Sequence, residues 1–235
     1  MAQEMTGKVV IVTGAGGNLG SAVARRFAAA GAVLVLVEHD AARLAELAAE
    51  LGGLAAAADV TDPASVDALV ARVEAERGRI DGLVHTVGGF AAGQPVHAGD
   101  LEVWDRMMNL NARSVYITAG RVARHLVERQ AAGRIVAILA RNAFKGTARA
   151  AAYSASKAAA QRVIESMAAE LGGLGIGVNG IAPSTVDTPA NRASMPNADF
   201  SKWVQPAEIA EAALFLASDA ASAINGVTLE VYARA

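Results

Sequence analysis

Lys8-Val-Val-Ile-Val-Thr13, followed at once by Gly14-Ala-Gly-Gly17-Asn18-Leu19-Gly20, decides how this chain folds. The first run is apolar with almost no alternation, the pattern of a strand buried on both faces of a parallel sheet. The glycines make a tight turn, and residues 21–30 behind them read as an alanine-rich helix. Strand, glycine turn and helix in that order form an anion site. Glycines let the backbone approach a pyrophosphate, and the helix start supplies free N–H groups and the positive end of its dipole. A second apolar run at 33–37 ends in Glu38, about 20 residues past the turn. A carboxylate there accepts hydrogen bonds from both ribose hydroxyls of NAD and repels the 2′-phosphate of NADP. A dinucleotide site is therefore predicted, with Gly14, Gly17, Asn18, Leu19 and Gly20 around the pyrophosphate. NAD(H) is preferred and NADP(H) is the second choice.

Outward from this unit, strand and helix signals alternate. A helix is predicted over 41–51 and a short strand over 54–58, with Asp59-Val60 at its C-terminal end. Asp62 caps, and Pro63 opens, a helix reaching about residue 78. A strand at 83–86 leads into the glycine-rich stretch 88–93. Helix in two pieces covers 101–130, and a strand follows over 134–139. A helix at 153–171, a strand at 177–181, a helix at 206–218 and a strand at 227–231 complete the series. Such alternation implies one α/β domain over 1–235, a doubly wound, seven-stranded parallel sheet with ligands at the carboxyl ends of its strands.

Composition narrows the function classes. The chain has 235 residues, 53% of them hydrophobic, enough for a substantial core in one domain. A net charge of -2 gives no footprint for nucleic acid or an anionic membrane. Cysteine is absent, which excludes disulfides and thiolate zinc sites. His39, His85, His97 and His125 lack ligand spacing, so no metal is expected. No apolar run is long enough to span a bilayer, and the start Met-Ala-Gln-Glu-Met does not read as a signal peptide. A soluble cytoplasmic protein is expected.

Tyr153-Ser-Ala-Ser-Lys157 carries the chemistry. Residues i and i+4 of a helix share a face. A free phenol, with a pKa near ~10, exchanges its proton poorly at neutral pH. An ammonium beside it favours the phenolate, so the pair is expected to act as a general acid and base.

In combination these residues resemble the short-chain dehydrogenase/reductase family across nearly the whole chain. The matching pieces are the glycine turn after Thr13, Asp59-Val60, Asn111, Tyr153 with Lys157, and Ile181-Ala-Pro183 leading to Asp187-Thr188. The resemblance implies that Asp59 and Val60 contact adenine. It also implies that Tyr153 relays a proton to the substrate, while Lys157 binds the nicotinamide ribose and lowers the tyrosine pKa. Asn111 would hold a water in the relay. Thr188 would bond the carboxamide, and Gly88 and Pro183 would border the coenzyme. Relatives in this family pair the helices at 101–130 and 153–171 between subunits, so a homodimer or homotetramer is expected.

The departures from the family are informative. Its members usually place a serine thirteen residues before the tyrosine, where the hydroxyl steadies a carbonyl oxygen; here that residue is Ala140. Losing such a donor typically costs ~10²–10³ in rate. Asn18 replaces a usual glycine, and His85-Thr-Val-Gly88 replaces the usual Asn-Asn-Ala-Gly. The dihydropteridine reductase branch is similar in these same places. It shares the Gly-x-x-Gly-x-x-Gly spacing, Gly88-Gly89-Phe90-Ala91, a small residue instead of the serine, and the loop from Asp187-Thr-Pro through Asn191-Arg192, Ser194-Met-Pro196 and Ala198-Asp-Phe200-Ser to Trp203. Core packing constrains loops weakly, so this match is read as a sign of shared substrate chemistry. Ala140 then widens a pocket in which Phe90 and Trp203 stack on a flat ring.

Three functions compete. The first is an NADH-dependent reductase of a quinonoid dihydropterin or another conjugated C=N small molecule. The second is an alcohol dehydrogenase or ketoreductase in which Asn142, Thr86 or a water replaces the serine hydroxyl. The third is a weakly active NAD-binding scaffold. A buried lysine retained beside a phenol argues against the third.

Overall fold

The computed structural model describes residues 4–234. Met1 to Gln3 and Ala235 lie outside the described residues, and with them most of the N-terminal stretch read above for a signal peptide. Seven strands form one sheet: β1 (Val9–Thr13), β2 (Val33–Glu38), β3 (Leu54–Ala57), β4 (Gly82–His85), β5 (Gly133–Ile138), β6 (Ile176–Pro183) and β7 (Thr228–Val231). Their spatial order is β3-β2-β1-β4-β5-β6-β7, and every pairing is parallel. The chain runs outward from β1 to β3, then returns to lay β4 against β1. That reversal is the switch point of a doubly wound sheet, where a crevice opens at the carboxyl ends. Thr13 and His85 face each other across it.

Eight α-helices cover the two faces: α1 (Asn18–Ala29), α2 (Ala45–Leu51), α3 (Pro63–Arg77), α4 (Leu101–Met107), α5 (Ser114–Glu128), α6 (Ala151–Leu171), α7 (Pro189–Ser194) and α8 (Pro206–Ala217). Strand residues alternate between two cores. Val9 and Ile11 pack with Leu69 of α3, Leu126 of α5 and Ile164 of α6. Val10 and Val12 pack with Phe27 of α1, Leu47 of α2 and Leu214 of α8. Burial on both faces is why the strands read as continuous apolar runs.

The predicted elements are present, with ends shifted by a few residues. Asp62 accepts from the N–H groups of Ala64 and Ser65, capping α3 as expected. The expected two-piece helix over 101–130 is joined by a π-helical turn, Met108–Arg113, which carries Asn111. Widened turns of this kind recur at functional sites. Helix α7 lies in a segment where no element was predicted. Thr188 caps it and Pro189 opens it, a signal the sequence does contain. Among the described residues, no helix is long and apolar enough to cross a membrane, and no acidic or histidine group is arranged for a metal.

Candidate active site

At the coenzyme end, the turn after β1 has the shape the sequence predicts. A Cβ on Gly20 would stand 2.0 Å from the Gly14 carbonyl oxygen, so only glycine lets α1 start this close to β1. Gly17 is the N-cap of α1 and offers no side chain. The N–H groups that begin the helix at Asn18 and Leu19 thus remain available to an anion. The Glu38 carboxylate reaches back over the turn, 3.1 Å from where a Cβ on Gly16 would stand. Glu38, Asp59 and Val60 line one cavity of about 330 Å³ together with Gly14, Val87 and Leu110. Oδ1 of Asp59 accepts from both the hydroxyl and the N–H of Thr61, at 2.7 and 2.8 Å. Those bonds, the hydroxyl's first, hold its carboxyl below the usual range. The residues fit a dinucleotide: a glycine-rich cradle, free N–H groups, and carboxylates where a ribose and an adenine would lie.

At the chemical end, α6 carries Tyr153 and the buried Lys157. The Lys157 ammonium donates to the Ile138 carbonyl at 3.0 Å. A Cβ on Gly88 would meet Asn111 Oδ1 at 2.9 Å and Lys157 Nζ at 3.0 Å, so these three residues converge on one spot. The expectation of an acidified phenol is corrected here. Burial pushes Tyr153 up to about 12 and Lys157 down to about 8. Desolvation disfavours the charged form of each.

Asn111, fully buried, clamps the backbone of Gly89 in both directions, accepting from its N–H at 2.8 Å and donating to its carbonyl at 3.0 Å. Its amide also donates to Ser156, whose hydroxyl donates to the Tyr153 carbonyl. Ser156 lies inside the quoted Tyr-Ser-Ala-Ser-Lys run, yet nothing in its spacing pointed to this role.

Ala140 is buried at the mouth of β5, as predicted, and starts the short turn Arg141–Ala143. Of the suggested substitutes for the missing hydroxyl, neither side chain offers a proton. The Asn142 amide spends its two N–H groups on Thr147 and Ser154, at 2.9 and 3.2 Å. The Thr86 hydroxyl donates to the Thr13 carbonyl at 2.6 Å.

Phe90 is 69% exposed, and its ring meets Tyr153 edge-on at 4.9 Å. Trp203 does not join it. Only 8% exposed, Trp203 packs against Phe200 at 4.7 Å inside its own loop. That loop is tightly built. Arg192 grips Asp187 through two bonds of 2.6 and 2.7 Å and lies 4.8 Å over the Phe200 ring. Gln205 also donates to Asp187 at 2.9 Å. Arg192, then Gln205, holds the Asp187 carboxyl down at about 2. Asp187, Arg192, Phe200, Trp203 and Gln205 are thus held to one another within the loop. Pro183 ends β6, and the Thr188 hydroxyl oxygen accepts from the Asn191 N–H at 3.2 Å, leaving its own proton free.

Comparison with known proteins accords with this geometry. Residues 8–199 match the family model described as short chain dehydrogenase. The chain belongs to that family. This short-chain dehydrogenase is 36% identical to D-threitol dehydrogenase of Mycolicibacterium smegmatis over 97% of its own length and 92% of the relative's. It is 32% identical to meso-2,3-butanediol dehydrogenase of Serratia marcescens, covering 95% and 92% of the two chains. Among solved structures, levodione reductase superposes with a TM-score of 0.91 at 29% identity over 97% of each chain. The protein is an NAD(P)-dependent oxidoreductase.

Proposed function

We propose that this enzyme is an NADH-dependent reductase whose substrate takes up hydride at a conjugated C=N or quinonoid centre, with Tyr153 as the proton donor. The observation that carries the reading is Ala140, with the protons of Asn142 and Thr86 both committed elsewhere. Reducing a ketone concentrates charge on one oxygen, which needs an oxyanion donor as well as an acid. A conjugated C=N acceptor, such as an imine or a quinonoid dihydropterin, spreads that charge over nitrogen atoms and needs the donor less. The exposed Phe90 ring beside Tyr153 supplies a face for a flat substrate.

In this proposal NADH supplies the hydride. Gly14, Gly17, Asn18, Leu19 and Gly20 hold the pyrophosphate, and Asp59 and Val60 hold adenine. Lys157 binds the nicotinamide ribose, with Gly88, Pro183 and Thr188 around the nicotinamide and Asn111 holding a relay water. Glu38 takes the adenosine ribose. Glu38→Ala is expected to narrow the ratio of kcat/KM for NADH over NADPH about tenfold, the worth of charge-assisted hydrogen bonds and a lost repulsion. An unchanged ratio would remove Glu38 from that role. We also place the whole chain in one domain and in the cytoplasm, as a homodimer or homotetramer. The exposed Leu101, Trp104 and Tyr116 along α4 and α5 support the assembly.

A second reading, oxidation of a small alcohol or reduction of its ketone, draws support from relatives named for threitol and butanediol. One experiment separates the two. NADH oxidation is followed with quinonoid dihydropterin, cyclic imines, quinones and simple ketones, for the native enzyme and Ala140→Ser. The serine variant is expected to raise ketone turnover at least tenfold, towards the ~10²–10³ that an oxyanion donor contributes, and to leave the conjugated substrates nearly unchanged. Native turnover confined to ketones and alcohols would overturn the proposal in favour of the second reading.

A further inference from the structure

A line of buried hydrogen bonds beneath the coenzyme cleft has no part in the reaction proposed above. His85, with no exposed surface, ends β4 at the switch point, opposite Thr13. Its Nδ1 is 3.0 Å from the Thr13 hydroxyl and its Nε2 is 3.2 Å from the Ser114 hydroxyl. Ser114 in turn donates to the Leu110 carbonyl at 2.6 Å. A serine hydroxyl has one proton. Since Ser114 gives it to Leu110, the Ser114 oxygen must accept from His85, so Nε2 carries the hydrogen. Nδ1 is then an acceptor, and Thr13 donates to it. The direction of every bond in the line follows from that one proton.

We infer that His85 is a positioning residue that sets the separation of the two walls of the coenzyme cleft. One wall is the glycine turn, which begins at Gly14, straight after Thr13. The other is the π turn, which holds Leu110, with its carbonyl tied to Ser114, and Asn111, which clamps Gly89. Gly14 and Leu110 both line the same cavity. An imidazole spans both partners, because its two nitrogens lie on opposite sides of a rigid ring. The inference rests on the glycine turn holding the coenzyme.

The test is NADH affinity of the full chain by fluorescence titration, for the native protein, His85→Leu and His85→Gln. Alongside it, kcat is measured at saturating NADH with whichever acceptor the substrate screen identifies. His85→Leu is expected to weaken NADH binding about tenfold while kcat changes less than about threefold. His85→Gln, which restores an N–H where Nε2 stood, is expected to recover most of the affinity. Nitrogen-15 NMR of the native protein is expected to show the Nε2–H tautomer. A folded His85→Leu protein that binds NADH as the native one does, or an Nδ1–H tautomer, overturns the inference. Should His85→Leu not fold, Thr13→Val and Ser114→Ala each cut one link, and unchanged affinity in both overturns it equally. Native protein without NADH affinity would instead defeat the coenzyme reading itself.

Discussion

Lys157→Met is expected to make the protein more stable and nearly inactive. The lysine is 5% exposed, has one hydrogen bond, to the Ile138 carbonyl, and is pushed by burial down to about 8 from an ordinary 10.5. A base whose folded pKa lies below its unfolded value binds its proton less well when folded. The resulting loss of stability is complete below about pH 8 and vanishes as pH rises past 10.5. At neutral pH that loss is on the order of 3 kcal/mol, of which leaving the Ile138 carbonyl unbonded would take back about 1–2. Methionine has similar volume and no charge, so the midpoint of thermal unfolding should rise by about 2–8 °C. Turnover should fall by about 10²–10⁴, the usual worth of a general acid–base group. A variant no more stable than the native chain at pH 7 would show that the ammonium is better solvated than its burial suggests.

Between pH 6.5 and 4 the protein should lose stability steeply, chiefly through one residue. Burial first, and the Lys157 charge second, push His85 down to about 3 from 6.5. In the unfolded chain His85 takes up a proton below pH 6.5; in the folded protein it does not until about 3. Unfolding therefore binds a proton throughout this window, and stability falls by about 1.4 kcal/mol for each pH unit. The stabilisation is whole above 6.5 and is lost as pH falls towards 3. Asp59 and Asp187, whose carboxyls are held down by Thr61 and Arg192, act in the same direction but only below their ordinary value of 3.8. Between pH 6.5 and about 4 the His85 effect is thus the larger one, and the two overlap only below that. Urea unfolding of the native protein and His85→Asn at several pH values between 7 and 4 measures it. Stability curves that run parallel would show that His85 titrates normally.

Much of the fold was legible because the signals were local. The apolar runs at β1 and β2, the glycine turn between β1 and α1, and Asp62-Pro63 at the start of α3 each depend on neighbours in sequence. The site was less legible. Tyr153 and Lys157 were found from helical spacing, and Ala140 through the resemblance to the family, whose members usually carry a serine there. The phenol's acidity was misjudged because desolvation depends on what surrounds both groups, and spacing says nothing of that. Trp203 was misplaced for a similar reason. Phe200, which packs against it, is close in sequence, but whether an aromatic in a loop folds inward or faces a cleft depends on the closure of the whole loop.

His85 shows the division most clearly. From sequence it was a departure from the usual asparagine, with no partner in view. Thr13 lies 72 residues before it and Ser114 29 after, and only the parallel return of β4 to β1 brings them together. The chain's own pattern settled the alternation of strands and helices and the tight glycine turn after β1, since short-range periodicity and residue chemistry suffice for those, whereas the missing serine showed only through the resemblance to the family. Which protons are free, which rings face the cleft and how costly each buried charge is were settled by tertiary packing, because hydrogen-bond direction and desolvation are properties of three-dimensional surroundings.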